Sequence, residues 1–251
     1  MCFDIDASPP VPPITGGSVT HADLELTSSD GTRFAAFEAT AGSTEAVVIL
    51  PDVRGLFPFY EELALRFAEH GIDAIAIDYF GRTAGTDKRM SDWDYMPHVS
   101  ATTLDGIRDD VRGAVNHLRR DAADRSVFIV GFCFGGSNSW YLAGSDLGLS
   151  GVIGFYGHPD RAGFPQGAPT VISMVSDISC PVLALQAGDD PGIPTEANDR
   201  FRVAMETAGV DGTVIEYPNA PHSFFDRKQD DYSAESSDAW QRIVAFITEH
   251  A

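Results

Sequence analysis

Six residues, Gly131-Phe132-Cys133-Phe134-Gly135-Gly136, follow the apolar run Val127-Phe128-Ile129-Val130 and open a stretch of helical character. A nucleophile on a sharp strand-to-helix turn has strained backbone angles, and side chains two positions to either side would collide. Gly131 and Gly135 stand at those two positions around Cys133. A thiol at a helix N-terminus also meets unpaired amide N–H groups and the positive end of the helix dipole, which favour the thiolate. A small buried cysteine in a glycine-rich turn is the plainer use of these residues, but such a turn has no need of glycine on both sides. The backbone N–H of Phe134, directly after the thiol, is the first candidate donor to an oxyanion.

This chemistry calls for an acid and then a histidine, in that chain order after the nucleophile. Val182–Gln186 reads as a strand, followed by Ala187-Gly188-Asp189-Asp190-Pro191-Gly192-Ile193-Pro194. Thr213–Tyr217 reads as another, followed by Pro218-Asn219-Ala220-Pro221-His222-Ser223-Phe224-Phe225. Groups just past the C-terminal ends of parallel strands share one edge of the sheet. Cys133, His222 and one of Asp189 and Asp190 therefore project from the same side. His21, His70, His117 and His250 fall on predicted strand or helix surfaces, whereas His98 and His158 lie in loops and stay as possible pocket residues.

The elements that must position these groups are legible as a pattern. His21–Thr27 and Arg33–Thr40 flank Asp30-Gly31, the signature of a hairpin. Ala46–Leu50 is a continuous apolar run suited to a strand buried on both faces. Phe59–His70, Leu104–Arg120, Gly136–Ala143, Thr195–Ala208 and Ala234–His250 read as helices; Asp73–Asp78, Ser126–Val130 and Val152–Phe155 complete the strands. The expected fold is α/β: one domain, a mostly parallel sheet with an N-terminal antiparallel hairpin and helices on both faces. Residues 1–22, rich in proline, are expected to form an extended arm before a domain over 23–251. Gly81–Ala101 is the longest stretch with no predicted element, and loops of that length are commonly functional.

Composition narrows the partners. The chain has 251 residues with 17 Lys+Arg against 37 Asp+Glu, a net charge of −20. That balance excludes non-specific attraction to a nucleic-acid backbone or an anionic membrane. Three cysteines are too few for a disulfide scaffold, and an odd thiol suits a reducing compartment, so a cytoplasmic protein is expected. No His-Glu-x-x-His spacing, cysteine pair, Walker loop or Gly-x-Gly-x-x-Gly fingerprint occurs, so neither metal nor cofactor is expected. A monomer or small homo-oligomer acting on a small molecule fits these limits.

The segments around Cys133, Asp190 and His222, with Asp78-Tyr79-Phe80-Gly81-Arg82, resemble the dienelactone hydrolase family of α/β-hydrolases, from about Asp23 to the C-terminus. The resemblance implies hydrolysis of a small ester or lactone by a Cys133–Asp190–His222 triad, and its acid motif selects Asp190 over Asp189. It puts the second oxyanion donor at Val53 and an acid that touches the thiol at Asp52, where the family commonly has glutamate. It aligns Arg82 with one of two arginines that hold a substrate carboxylate. The second arginine's place, four residues after the histidine, holds Asp226. An aspartate facing a lone arginine would leave little or no preference for an anionic substrate. The alternatives are a general carboxylesterase for neutral esters and a non-catalytic ligand-binding or thiol-sensing protein on the same fold.

Overall fold

The computed structural model describes residues 3–4, 6–14, 18–89 and 93–251; Cys2 lies outside them. Eight strands form one sheet in the spatial order β1-β2-β4-β3-β5-β6-β7-β8. They are β1 (Thr20–Thr27), β2 (Arg33–Thr40), β3 (Glu45–Leu50), β4 (Asp73–Ile77), β5 (Ser126–Phe132), β6 (Gly151–Phe155), β7 (Val182–Asp189) and β8 (Gly212–Pro221). The hairpin β1–β2 and the β2–β4 pair are antiparallel; every other pair is parallel. Gly31 turns the hairpin at φ 87°, and the Asp30 carboxylate accepts the Thr32 N–H at 2.9 Å.

The helices are α1 (Pro58–Glu69), α2 (Gly81–Ala84), α3 (Met96–Ser100), α4 (Leu104–Leu118), α5 (Phe134–Leu142), α6 (Thr195–Ala208) and α7 (Ser233–His250). The two-residue period of a strand sends alternate side chains to opposite faces, and here both faces are covered. Val47 and Ile49 of β3 join Leu63 and Phe67 of α1 and Ile243 and Ile247 of α7 in one core layer. Ala46, Val48 and Leu50 join Val111 of α4, Trp140 of α5 and Phe201 of α6 in the other. This explains the continuous apolar runs: a strand covered on both sides has no polar face.

Three strands run further than their sequence pattern indicates, with β5 reaching Phe132, β7 Asp189 and β8 Pro221. In β8 the extension contains a bulge. Ala187 pairs with Tyr217, yet two residues later Asp189 pairs with Pro221. Gly188 makes this possible, because a Cβ there would lie 2.6 Å from the Pro218 Cα. The stretch expected to be irregular carries α2 and α3, with residues 90–92 outside the described set. These helices of one turn or so are too short to show an amphipathic period, and Pro97 sits in the first turn of α3, where it is tolerated. Among the described residues no helix is long and apolar enough to cross a membrane.

The described residues ahead of β1 form no strand or helix; they include a turn closed by the Ala7 N–H on the Asp4 carbonyl at 3.0 Å, and they are packed down. Phe3, Ala7 and Val11 are buried in the core layer that holds α1 and α7.

Candidate active site

Cys133 sits between β5 and α5 with φ 57° and ψ −110°, a region an L-residue rarely occupies. Its N–H donates to the Phe155 carbonyl at 3.0 Å, and its carbonyl accepts the Ser137 N–H at 3.1 Å. The surrounding glycines answer to measured contacts. A Cβ on Gly131 would lie 2.0 Å from the Gly135 carbonyl oxygen, and one on Gly135 would lie 2.2 Å from that of Leu50. A Cβ on Gly136 would lie 2.3 Å from the Phe155 carbonyl oxygen. Real side chains never come so close, so α5 can approach β3 and β6 at this turn only with glycine at these positions.

Asp190 and His222 are brought together by the bulge in β8. Because Asp189 pairs with Pro221, the residues that follow each emerge side by side. The Asp190 Oδ2 lies 2.5 Å from the His222 Nδ1, and Asp190 Oδ1 accepts the Gly192 N–H at 2.9 Å. Burial opposes ionisation of Asp190, but the hydrogen bond and charge of His222, helped by the Gly192 amide, outweigh it and hold the carboxyl below its usual range. Asp189 is exposed, whereas the Asp190 side chain is 5% exposed.

Cys133, Phe134, Asp190 and His222 line one cavity of about 480 Å³. The volume suits a small organic molecule. Tyr156, just past β6, forms part of its wall, and its ring lies 4.8 Å from that of His222. Among the described residues, the non-glycine positions with positive φ are Cys133, Tyr156 and Ser223, the last at 63°. All three lie at this cavity or next to His222. Such conformations cost about 1–3 kcal/mol each and persist where the surrounding structure over-determines them.

The remaining residues singled out from the sequence are placed differently. Val53 is buried in the loop after β3, on the same edge of the sheet. Asp52 beside it is fully buried, and its carboxylate is taken up by Arg54, from the backbone N–H at 2.8 Å and the guanidinium Nη2 at 3.0 Å. Burial raises the pKa of Asp52 against the charge of Arg54. Neither Asp52 nor Val53 lines the cavity itself.

Arg82 departs from the expected carboxylate clamp. Its guanidinium binds Asp110 Oδ2 at 2.6 Å and Asp30 Oδ2 at 3.0 Å, in a separate small recess that also contains His98. Asp110 is buried, and a buried carboxylate needs a paired cation, so Arg82 serves the packing of α4 against the hairpin loop. Asp226 departs too. It is buried away from the cavity, and its Oδ1 accepts the N–H groups of Ser8 at 3.2 Å and Lys228 at 3.1 Å. The expected opposition between Arg82 and Asp226 across the pocket therefore does not arise.

Among the described residues, the Lys or Arg that reaches the cavity is Arg161, from the loop after β6, with its guanidinium 4.4 Å from the centroid of the Phe164 ring. His158 of the same loop lines the cavity as well; burial and the charge of Arg161 lower its pKa and favour the neutral ring. Sequence reasoning kept His158 as a possible pocket residue and missed Tyr156, Arg161 and Phe164. Tyr156 had a usable signal, since it directly follows a predicted strand whose C-terminal end lies on the active edge. Arg161 and Phe164 had none, because that loop carries no motif. Among the described residues no group of three His, Cys, Asp or Glu side chains is arranged to hold a metal ion.

Comparison with known proteins agrees with this architecture. The chain is 27% identical over 271 residues to the carboxymethylenebutenolidase of Rhodococcus opacus, covering 98% of this chain and 96% of that one. It is 28% identical over 215 residues to a Yersinia pestis protein provisionally named a carboxymethylenebutenolidase, covering 83% and 79%. A Klebsiella pneumoniae structure with a provisional dienelactone hydrolase description superposes with a TM-score of 0.82 at 22% identity, over 92% of this chain and 99% of that one. The family model described as the dienelactone hydrolase family matches residues 34–251, nearly the whole chain, and the protein belongs to that family.

Proposed function

We propose that this protein hydrolyses a small carboxylic ester or lactone, with Cys133 as nucleophile, His222 as general base and acid, and Asp190 as the group that orients the imidazole. The observation that carries the reading is the 2.5 Å Asp190–His222 contact on the wall of the cavity that also presents Cys133 on its strained turn.

The thiolate of Cys133 attacks the carbonyl carbon and a C–S bond forms. The oxyanion takes hydrogen bonds from the N–H groups of Phe134 and Val53. The tetrahedral species collapses with cleavage of the C–O bond, and the departing alkoxide takes a proton from His222 Nε2. A water molecule, deprotonated by His222, then attacks the thioester; the acid leaves and the Cys133 thiolate returns. Asp190 accepts the Nδ1–H throughout and stabilises the imidazolium without taking its proton. Cys180 has no place in this scheme: it is buried, and burial pushes its thiol up to about 11. Rapid quenching of the enzyme with p-nitrophenyl acetate should give an acetyl mass increment on the peptide containing Cys133. Turnover with no such adduct under any quench time would remove the covalent route.

Substrate charge follows from Arg161. Among the described residues every other lysine and arginine has a carboxylate partner, except Arg119, whose guanidinium is held by backbone carbonyls. In a chain of net charge −20, Arg161 has no acid paired to it among the described residues and is steadied by an aromatic ring at the cavity. A guanidinium so placed suits the carboxylate of an anionic ester or lactone. In a matched anionic and neutral pair, the ratio of kcat/KM values should fall about tenfold in Arg161→Ala, the scale of one charge-assisted hydrogen bond. Turnover of the neutral ester should change by less than about threefold, and Arg82→Ala should leave the ratio as in the wild type. A ratio unmoved by Arg161→Ala and lowered by Arg82→Ala would return the clamp to Arg82.

A further inference from the structure

The strained residues at the cavity share neighbours in a part of the chain that lies ahead of the family-matched region. Phe3 is buried and stacks on Phe59 of α1, with ring centroids 4.0 Å apart. From that seat it meets the backs of three elements of the site. Its ring lies 5.9 Å from Phe132, the residue before Cys133. It lies 6.2 Å from Tyr156, which also packs against the His222 ring. It lies 6.3 Å from Tyr60, whose hydroxyl accepts the Asp52 N–H at 2.8 Å and so steadies the loop that carries Val53.

The segment is fastened at its far end to the histidine loop. The Ser8 N–H donates to the Asp226 carboxylate, and the Ser8 carbonyl accepts the Arg227 N–H at 2.9 Å. Further along, the Ile14 N–H donates to Glu69 at 2.9 Å. The segment thus runs from behind the nucleophile turn to the outside of the loop that bears His222 and Ser223. It touches, or lies one residue from, two of the three positive-φ positions and is tied close after the third.

We propose that residues 3–4 and 6–14 form a positioning strap that completes the active site, with Phe3 acting through Phe132, Tyr156 and Tyr60 to hold Cys133, His222 and the oxyanion loop in register. This rests on the hydrolase reading above. Backbone strain survives where the surroundings leave no alternative, and the strap supplies the packing on the side away from substrate. Small displacements of reacting groups cost rate out of proportion to stability: a shift of about 1 Å can cost about a hundredfold.

The test uses the full chain with Phe3→Ala, Phe3→Leu and Asp226→Ala, the last loosening the strap without touching Phe3. Each is assayed with p-nitrophenyl acetate well below its melting temperature, for kcat, KM and the pH profile of kcat/KM. The rate of Cys133 alkylation by iodoacetamide is followed across the same pH range. The expected signature in Phe3→Ala is a kcat lowered about 10–100-fold with KM within about threefold, and displaced pH profiles for both turnover and alkylation. Phe3→Leu, which refills most of the volume, should recover kcat to within about threefold of the wild type, and Asp226→Ala should show the same signature as Phe3→Ala. A folded Phe3→Ala with wild-type kcat and pH profiles, merely melting earlier, would overturn the proposal. If Phe3→Ala fails to fold, Asp226→Ala decides, and wild-type kinetics there overturn it equally. A displaced alkylation profile in a protein that turns over no ester would support the strap and count against the ester reading alone.

Discussion

Cys133→Ala is expected to lower ester turnover by about three powers of ten or more while leaving the fold in place, and His222→Ala by a similar factor, because members of such a unit fail together. The two variants should differ in stability. Alanine at position 133 meets the same φ of 57° as cysteine and removes one half-buried sulfur, so little packing is lost. Alanine at 222 removes a ring that packs on Tyr156 and leaves the buried Asp190 carboxylate with the Gly192 amide but without its histidine partner. An uncompensated buried charge is costly. Circular dichroism should therefore show Cys133→Ala melting close to the wild type and His222→Ala melting earlier. Substantial turnover in a purified, folded Cys133→Ala would show that the cavity's chemistry does not pass through the thiol.

Asp190→Asn should cost about three to four powers of ten in kcat, since an amide cannot stabilise the imidazolium and can hold the ring in the wrong tautomer. Asp189→Asn, at an exposed position, should stay within about threefold. The pair also makes a statement about pH. The folded protein holds the Asp190 carboxyl below its ordinary value, so this group's contribution to stability is present above the unfolded carboxylate value and is lost as pH falls through the folded one. The stability gap between wild type and Asp190→Asn should then be widest near neutrality and should close on acidification. Equal kinetic losses in the two asparagine variants would assign the effect to the turn and not to one carboxylate.

Much of this protein is legible in its sequence, and for identifiable reasons. The alternation of elements, the parallel sheet and its hairpin follow from two periodicities and a few turn residues, which act over short stretches of chain. The turn at Cys133 is equally local: the glycines at 131 and 135 report a close approach of backbone that no side chain survives, so residue type alone reveals it. The order of cysteine, acid and histidine, each after a strand, places them on one edge of the sheet because parallel strands point the same way.

What the sequence leaves open depends on partners far along the chain. Likeness to a family motif picks Asp190 over Asp189, but the physical cause, a bulge in β8 that pairs Asp189 with Pro221, is a register invisible in either segment by itself. Arg82 looks like a carboxylate clamp until the fold brings the buried Asp110 of α4 and Asp30 of the hairpin loop within reach of its guanidinium. Asp226 looks like a pocket wall until Ser8, more than two hundred residues earlier, is found donating to it. Arg161 carries no motif, and its claim on the substrate arises because tertiary contacts supply an acid or a carbonyl to every other cation among the described residues. Charge pairing and register are settled by whichever groups the folded chain makes neighbours, and sequence distance carries no record of that.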